Sequence, residues 1–155
     1  MAQFDLDGFL PYQLAVAARR VSEAFAARYR NEFGISIPEW RVVAHLSQER
    51  AVSVREIHRR VDMDKSKVSR AATRLEERGY VAKRTDPRDG RLVELTLTEK
   101  GREMMNVLAP IALAYQSEVL GRLGADATAF QGALETLLTE NHTPHAEVGG
   151  GGRDD

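Results

Sequence analysis

The stretch from Val54 to Arg91 constrains this chain more than any other, because it reads as a short helix, a tight break, a second helix and a charged hairpin in that order. Ser53 stands three residues before Glu56, the S-x-x-E spacing in which each side chain can satisfy a backbone N–H of the other residue, so a helix start is fixed there. Val54, Ile57 and Val61 carry that helix to a break at Val61-Asp62-Met63. Asp64 then caps a second helix running towards Gly79, a good helix-stopping residue. Two helices joined so briefly must cross sharply.

In the second helix Val68, Ala71, Ala72 and Leu75 recur at i, i+3, i+4 and i+7 and form one buried stripe. Lys67, Arg70 and Arg74 take the opposite face, with Ser66, Ser69 and Thr73 completing the candidate set. Arginine can grip the O6/N7 edge of guanine with two hydrogen bonds, hydroxyls can address several base edges, and Lys or Arg can hold phosphate oxygens. An ordinary amphipathic helix with a solvated basic face has the same pattern. The next segment tips the balance. Tyr80 to Thr85 and Leu92 to Leu97 are rich in β-branched and apolar residues and flank Asp86-Pro87-Arg88-Asp89-Gly90-Arg91, a strand, turn, strand pattern. Such a turn projects Arg88 near its tip, where a guanidinium can reach the negative potential of a narrow minor groove. Arg91 either touches phosphate or pairs with Asp86 across the hairpin neck. The fold class expected is mainly α with a small β-hairpin wing, a winged helix-turn-helix attached to further helices.

The segments Ser53-Val54-Arg55-Glu56-Ile57, Asp64 to Arg70, Arg74 to Val81, Asp86 to Arg91 and Leu97-Thr98-Glu99-Lys100-Gly101 together resemble the MarR family of bacterial transcriptional regulators. The resemblance covers about residues 8 to 141, and its D-x-R-D-x-R wing followed by L-T-x-x-G is far more specific than a generic helix-turn-helix match. It implies a homodimer that binds double-stranded DNA at a pseudo-palindromic operator and represses until a small ligand or an oxidant lowers its affinity. It also implies a division into an N-terminal dimerisation helix (1–37), a DNA-binding winged helix (38–97), C-terminal dimerisation helices (98–141) and a tail (142–155), which its four consecutive glycines mark as disordered. A dimer matters because one reading helix covers few base pairs, whereas two address half-sites about 10 bp apart.

The net charge of −1 looks wrong for such a partner until it is localised. Val54 to Arg91 holds 12 Lys/Arg against 7 Asp/Glu, leaving 10 against 16 in the rest of the chain. The basic footprint is a patch that the overall balance conceals. Hydrophobic residues make up 43%, enough for a core, yet no run is long enough to span a membrane and the N-terminus lacks a signal peptide's basic and apolar segments, so a cytoplasmic protein is expected. There is no G-x-S-x-G, Walker glycine loop or H-E-x-x-H, and an enzyme is not expected. The rival is a winged-helix protein-interaction module without specific DNA binding, which would more often show apolar anchors where Lys67, Arg70, Arg74 and Arg88 stand. A single-strand RNA reader would show stacking aromatics there.

Pro11 suits the first turn of a helix running towards Gly34, with Leu10, Leu14, Ala17, Ala18, Val21 and Phe25 on one face. Phe9, Tyr12 and Val16 form a second apolar patch nearly opposite, so both sides of that segment call for cover. Pro38 opens a helix bearing Trp40, Val43 and Leu46, which leads into a short strand at Ala51-Val52. Thr98 caps a long helix that Pro110 should kink, Gly121 and Gly124 mark its end, and Asp126 caps a last helix with Phe130, Leu134, Leu137 and Leu138.

With no cysteine in the chain, a thiol-based oxidant switch is closed. Only His45, His58, His142 and His145 are available as imidazole ligands, so neither a metal nor a cofactor is expected. That leaves a small aromatic or phenolic effector, as the resemblance implies. Its pocket wants aromatic walls and one polar anchor, for which Tyr12, Arg19, Trp40 and His45 are the candidates, with Arg20 beside Arg19. Each has a plainer reading: core for Trp40, dimer packing for Tyr12, solvated charge for the arginines and a hydrogen-bonded packing role for His45.

Overall fold

Helix α1 (Leu10–Phe33) begins with Pro11 in its first turn and ends at Gly34, whose left-handed φ of 65° lets its N–H close on the Arg30 carbonyl. The computed structural model describes residues 2–48, 51–61, 63–91 and 93–140. After α1 come α2 (Ile37–Gln48), β1 (Val52–Ser53), α3 (Val54–Arg60), α4 (Lys65–Glu77), β2 (Val81–Thr85), β3 (Val93–Leu97), α5 (Glu99–Leu123) and α6 (Ala127–Thr139), with a 3₁₀ turn at Gly124–Asp126. The strands form an antiparallel sheet in the order β1-β3-β2. Asp62, Leu92 and the expected tail from His142 lie outside the described residues.

The chain divides into two compact units, Met1–Tyr115 and Gln116–Asp155, so the division falls inside α5. That division follows compactness alone and does not bear on the expected segments 1–37, 38–97 and 98–141. In the first unit α2 packs on α4 and β3, α3 packs on α4, and α4 packs on β2. The core there is Val42, Val43 and Leu46 from α2, Ile57 from α3, the α4 stripe, and Val52, Val81 and Leu95 from the sheet. Phe25 and Tyr29 of α1, Trp40 of α2 and Tyr115 of α5 build an aromatic cluster with ring centroids 5.0–5.7 Å apart. The Tyr115 hydroxyl satisfies itself by donating to the Val21 carbonyl at 2.8 Å.

Four expectations are corrected. The face of α1 is buried only from Phe25 onward, as Phe25, Ala26 and Tyr29; Leu10 and Val21 stay 55% and 41% exposed, Leu14 is half-buried, and Ala17 and Ala18 are open. Among the described residues the first half of that helix buries no side chain fully, and only Leu14 and Val16 are half-buried there. Second, Asp126 stands before α6 with helical backbone angles and makes no side-chain cap, because a cap needs an extended residue there. Third, Gly121 lies within α5, which ends next to Gly124, at φ 58°. Fourth, the short strand is Val52–Ser53, one residue later than expected, because Val52 and Ser53 are the residues in register with Leu95 and Glu94. In the second unit α6 buries no residue, and Phe130, Leu137 and Leu138 are exposed.

Candidate nucleic-acid interface

Helix α4 is held in place from both ends and one side. Asp64, extended at φ −66° and ψ 153°, accepts the Lys67 N–H at 2.9 Å, and the Ser66 hydroxyl donates to the same carboxylate oxygen at 2.7 Å. The Ser66 hydroxyl bond, followed by that backbone N–H, holds the Asp64 carboxyl below its usual range. At the far end the Arg78 N–H returns to the Arg74 carbonyl before Gly79 turns the chain at φ 81°. Val68, Ala71, Ala72 and Leu75 are buried as the periodicity requires, and Lys67, Ser69, Arg70, Thr73 and Arg74 are exposed.

The preceding turn is fixed as well. Ser53 accepts the Glu56 N–H at 3.1 Å, which is the serine half of the expected capping box, and the His58 Nδ1–H donates to the Met63 carbonyl across the break. A complete box stands instead at the start of α2: Ser36 Oγ accepts the Glu39 N–H at 3.3 Å, and Glu39 Oε2 accepts the Ser36 N–H at 3.1 Å. The Ser36 to Glu39 spacing is the same as Ser53 to Glu56 and was legible in the sequence. It matters here because Ser36 and Pro38 share a cleft of about 210 Å³ with Lys67, Arg70 and Arg74, so the start of α2 borders the basic face.

The candidate donors on α4 differ in availability. Thr73 is committed: its hydroxyl donates to the Ser69 carbonyl at 2.9 Å and accepts from Lys83 Nζ at 2.9 Å. Lys83, on β2, also lies 4.0 Å from Glu76 Oε1, so it fastens the wing strand to the exposed face of α4. Ser66 is likewise committed to its cap. Lys67, Ser69, Arg70 and Arg74 make no side-chain hydrogen bond among the described residues, and Arg70 and Arg74 also line a second cleft of about 360 Å³ with Ser69, Thr73 and Glu77.

In the wing, β2 and β3 pair with Arg84 opposite Glu94 and Thr85 opposite Val93. The D-x-R-D-x-R motif has a plain physical reading. Asp86 Oδ1 accepts the Arg88 N–H at 2.8 Å and Asp89 Oδ1 accepts the Arg91 N–H at 3.0 Å, so each aspartate braces the backbone two residues on and leaves the arginine side chain exposed. Of the two readings of Arg91, the pairing with Asp86 is not the one observed among the described residues.

The effector candidates differ in exposure. Tyr12, Arg19 and Arg20 are exposed, and Trp40 is half-buried in the aromatic cluster. His45 is half-buried, and among the described residues its enclosed Nε2 has no hydrogen-bond partner; nor has the hydroxyl of buried Tyr29, whose pKa burial pushes up to about 12. A cleft of about 890 Å³ opens instead between the end of α2, β3 and the start of α5, lined by Leu46, Gln48, Thr96, Leu97, Arg102 and Met105 among others, and none of the four candidates borders it. No helix among the described residues is long and apolar enough to cross a membrane.

A capped, basic helix crossed by a short one and flanked by an arginine-tipped hairpin defines a winged helix-turn-helix protein. The MarR family profile matches residues 33–92. The chain is 30% identical to a MarR family transcriptional regulator from Silicibacter pomeroyi DSS-3, whose crystal structure superposes with a TM-score of 0.76 over 88% of this chain and 97% of that one. It is 27% identical to the PcaV transcriptional regulator from Streptomyces coelicolor, solved in complex with its natural ligand, with a TM-score of 0.71 over 89% of this chain and 96% of that one. It is also 24% identical over 90 residues to the transcriptional regulator SarZ of Staphylococcus epidermidis, a match that covers 58% of this chain and 61% of that protein's length. The chain belongs to the MarR family, a family of transcriptional regulators.

Proposed function

We propose that this protein is a homodimeric, sequence-specific regulator that binds double-stranded DNA through α4 and the wing. The observation that carries the proposal is the set Lys67, Ser69, Arg70 and Arg74, exposed and unbonded among the described residues on a helix whose own N-terminus is satisfied by Asp64. Side chains that make no hydrogen bond among the described residues are available to bases and phosphates. Arg88 and Arg91 extend the donor set onto the wing, whereas Thr73 serves to fix the wing to α4. The exposed Leu10, Tyr12 and Val21 of α1, and Phe130 and Leu138 of α6, support a partner subunit, since a lone chain rarely leaves so many large apolar groups in water. The regulator acts as a repressor at a pseudo-palindromic operator and is released by a small aromatic or phenolic ligand, a reading supported by family membership and by a relative crystallised with its natural ligand.

The test is binding of the purified protein to the intergenic DNA beside its own gene, against a scrambled duplex of equal length and across a salt series. Preferential, salt-sensitive binding by a dimer is expected. Arg70→Ala should cost about 1–3 kcal/mol on the operator and relax preference at one base position. Equal weakening on both duplexes makes Arg70 a phosphate contact, and equal binding of the wild type to both refutes sequence-specific regulation at that site.

A further inference from the structure

The end of α4 carries a junction that neither the basic face nor the wing uses. Arg78 stands at the C-cap of that helix, and its guanidinium reaches back to α1, where Nη1 donates to the Gly34 carbonyl at 3.0 Å and Nη2 donates to the Phe33 carbonyl. Carbonyls at a helix C-terminus lack intrahelical partners and carry the negative end of the helix dipole, so they suit a cation. A planar fork with two donors meets two such acceptors in a fixed orientation, which a single ammonium cannot do. The fit is close: a Cβ at Gly34 would stand 3.3 Å from Arg78 Nη2, and the φ of 65° there already favours glycine.

The same residues are bound on their other side to the start of α5. Lys100 Nζ donates to the Arg78 carbonyl at 2.8 Å and lies 4.6 Å from the centre of the Tyr80 ring, which also faces the Arg78 guanidinium at 5.4 Å. The Thr98 hydroxyl donates to the Gly79 carbonyl at 2.6 Å, and the Thr98 N–H to the Tyr80 carbonyl at 3.0 Å. The last turn of the reading helix is therefore tied to the end of α1 by one side chain, and to the start of α5 by the backbone next to it.

We infer that Arg78 is the positioning residue through which α1 sets the angle of α4, so that the spacing of the two reading helices in a DNA-bound dimer is passed through this guanidinium. The inference rests on the reading of the protein as a dimeric DNA binder. Because both donors are engaged, a rotation of the end of α1 carries the fork with it, and with the fork the C-terminal turn of α4. Arg78 itself touches carbonyls and belongs to neither the base-reading nor the phosphate-holding set.

The experiment uses duplexes selected by the wild-type protein from random DNA, then the same half-sites with the spacer lengthened by one and by two base pairs. The wild type should favour the selected spacing. Arg78→Met keeps the aliphatic stem and removes the fork; it should remain a dimer, while the affinity ratio between native and lengthened spacers falls about fivefold or more, within the usual range of site-to-site couplings. Its salt dependence should be unchanged, as no phosphate contact is lost. Arg78→Lys, which can reach one carbonyl, should give an intermediate ratio. A variant that is merely less stable lowers binding to every spacer alike, so an unchanged ratio overturns the inference, as does a salt slope reduced by about one phosphate. If Arg78→Met does not fold, Arg78→Lys decides by the same ratio. A wild type with no preference among selected duplexes refutes the DNA-binding reading itself, a result distinct from a wild-type preference that Arg78→Met leaves intact.

Discussion

Gly101→Ala tests the packing of α5 against the end of the winged helix. A Cβ at Gly101 would stand 2.2 Å from the Tyr80 carbonyl oxygen, 3.2 Å from its carbon and 3.1 Å from a Leu97 methyl. Relief needs the helix and the Tyr80 backbone to separate by roughly 1 Å, an overpacking strain that typically costs about 1–3 kcal/mol. The same carbonyl accepts the Thr98 N–H at 3.0 Å, and Gly101's own N–H donates to Thr98 Oγ1 at 3.1 Å, so separation also weakens a bond worth about 1 kcal/mol. Against this, alanine gains about 1 kcal/mol over glycine in a helix. The net expectation is a loss of about 1–3 kcal/mol, and a fall in Tm of about 2–4 °C for each of them. Gly121 supplies the comparison within the same helix, since among the described residues nothing lies within 4 Å of a Cβ there. Gly121→Ala should therefore be stabilising by about 1 kcal/mol. Urea unfolding followed by circular dichroism, at one protomer concentration, measures all three proteins. Gly101→Ala as stable as Gly121→Ala would refute the reasoning, because helix propensity would then outweigh the close approach to Tyr80.

Arg88→Ala should weaken operator binding and flatten its salt dependence while leaving the dimer and its melting temperature unchanged; loss of the dimer would show that the wing serves assembly. Asp64 titrates below its usual range, so the stability it confers is fully present above about pH 4 and is lost as pH falls through the depressed value. Asp64→Asn keeps an acceptor at the cap and should remove that part of the acid transition, which melting curves between about pH 5 and about pH 2 would reveal as a shallower slope. The Tyr29 hydroxyl is enclosed without a hydrogen-bond partner among the described residues, and Tyr29→Phe should change stability by no more than about 1 kcal/mol, in the stabilising direction. A clear loss in denaturant titrations would mean that the hydroxyl is satisfied in solution.

The helix-turn-helix and wing were legible because they are written in local rules. Ser53 and Asp64 cap residues three positions on, Val68 to Leu75 repeats with the helical period, and Asp86 and Asp89 brace residues two positions on. None of these needs a distant part of the chain. What the tertiary structure decided are matters of long-range juxtaposition. Thr73 falls on the basic face by periodicity, and that its hydroxyl accepts from Lys83, ten residues away on another element, follows only from the packing of β2 on α4. In sequence Trp40 is open between core and pocket wall, and the fold seats its ring against Phe25 and Tyr29. The Leu10 to Phe25 face of α1 is one continuous stripe in sequence, yet Leu10, Ala17, Ala18 and Val21 are exposed and full burial begins only at Phe25. Arg78 is the plainest case: its partners lie 44 and 45 residues earlier, and helical periodicity, which ranks a residue only against its neighbours, could not choose between solvent and the end of another helix.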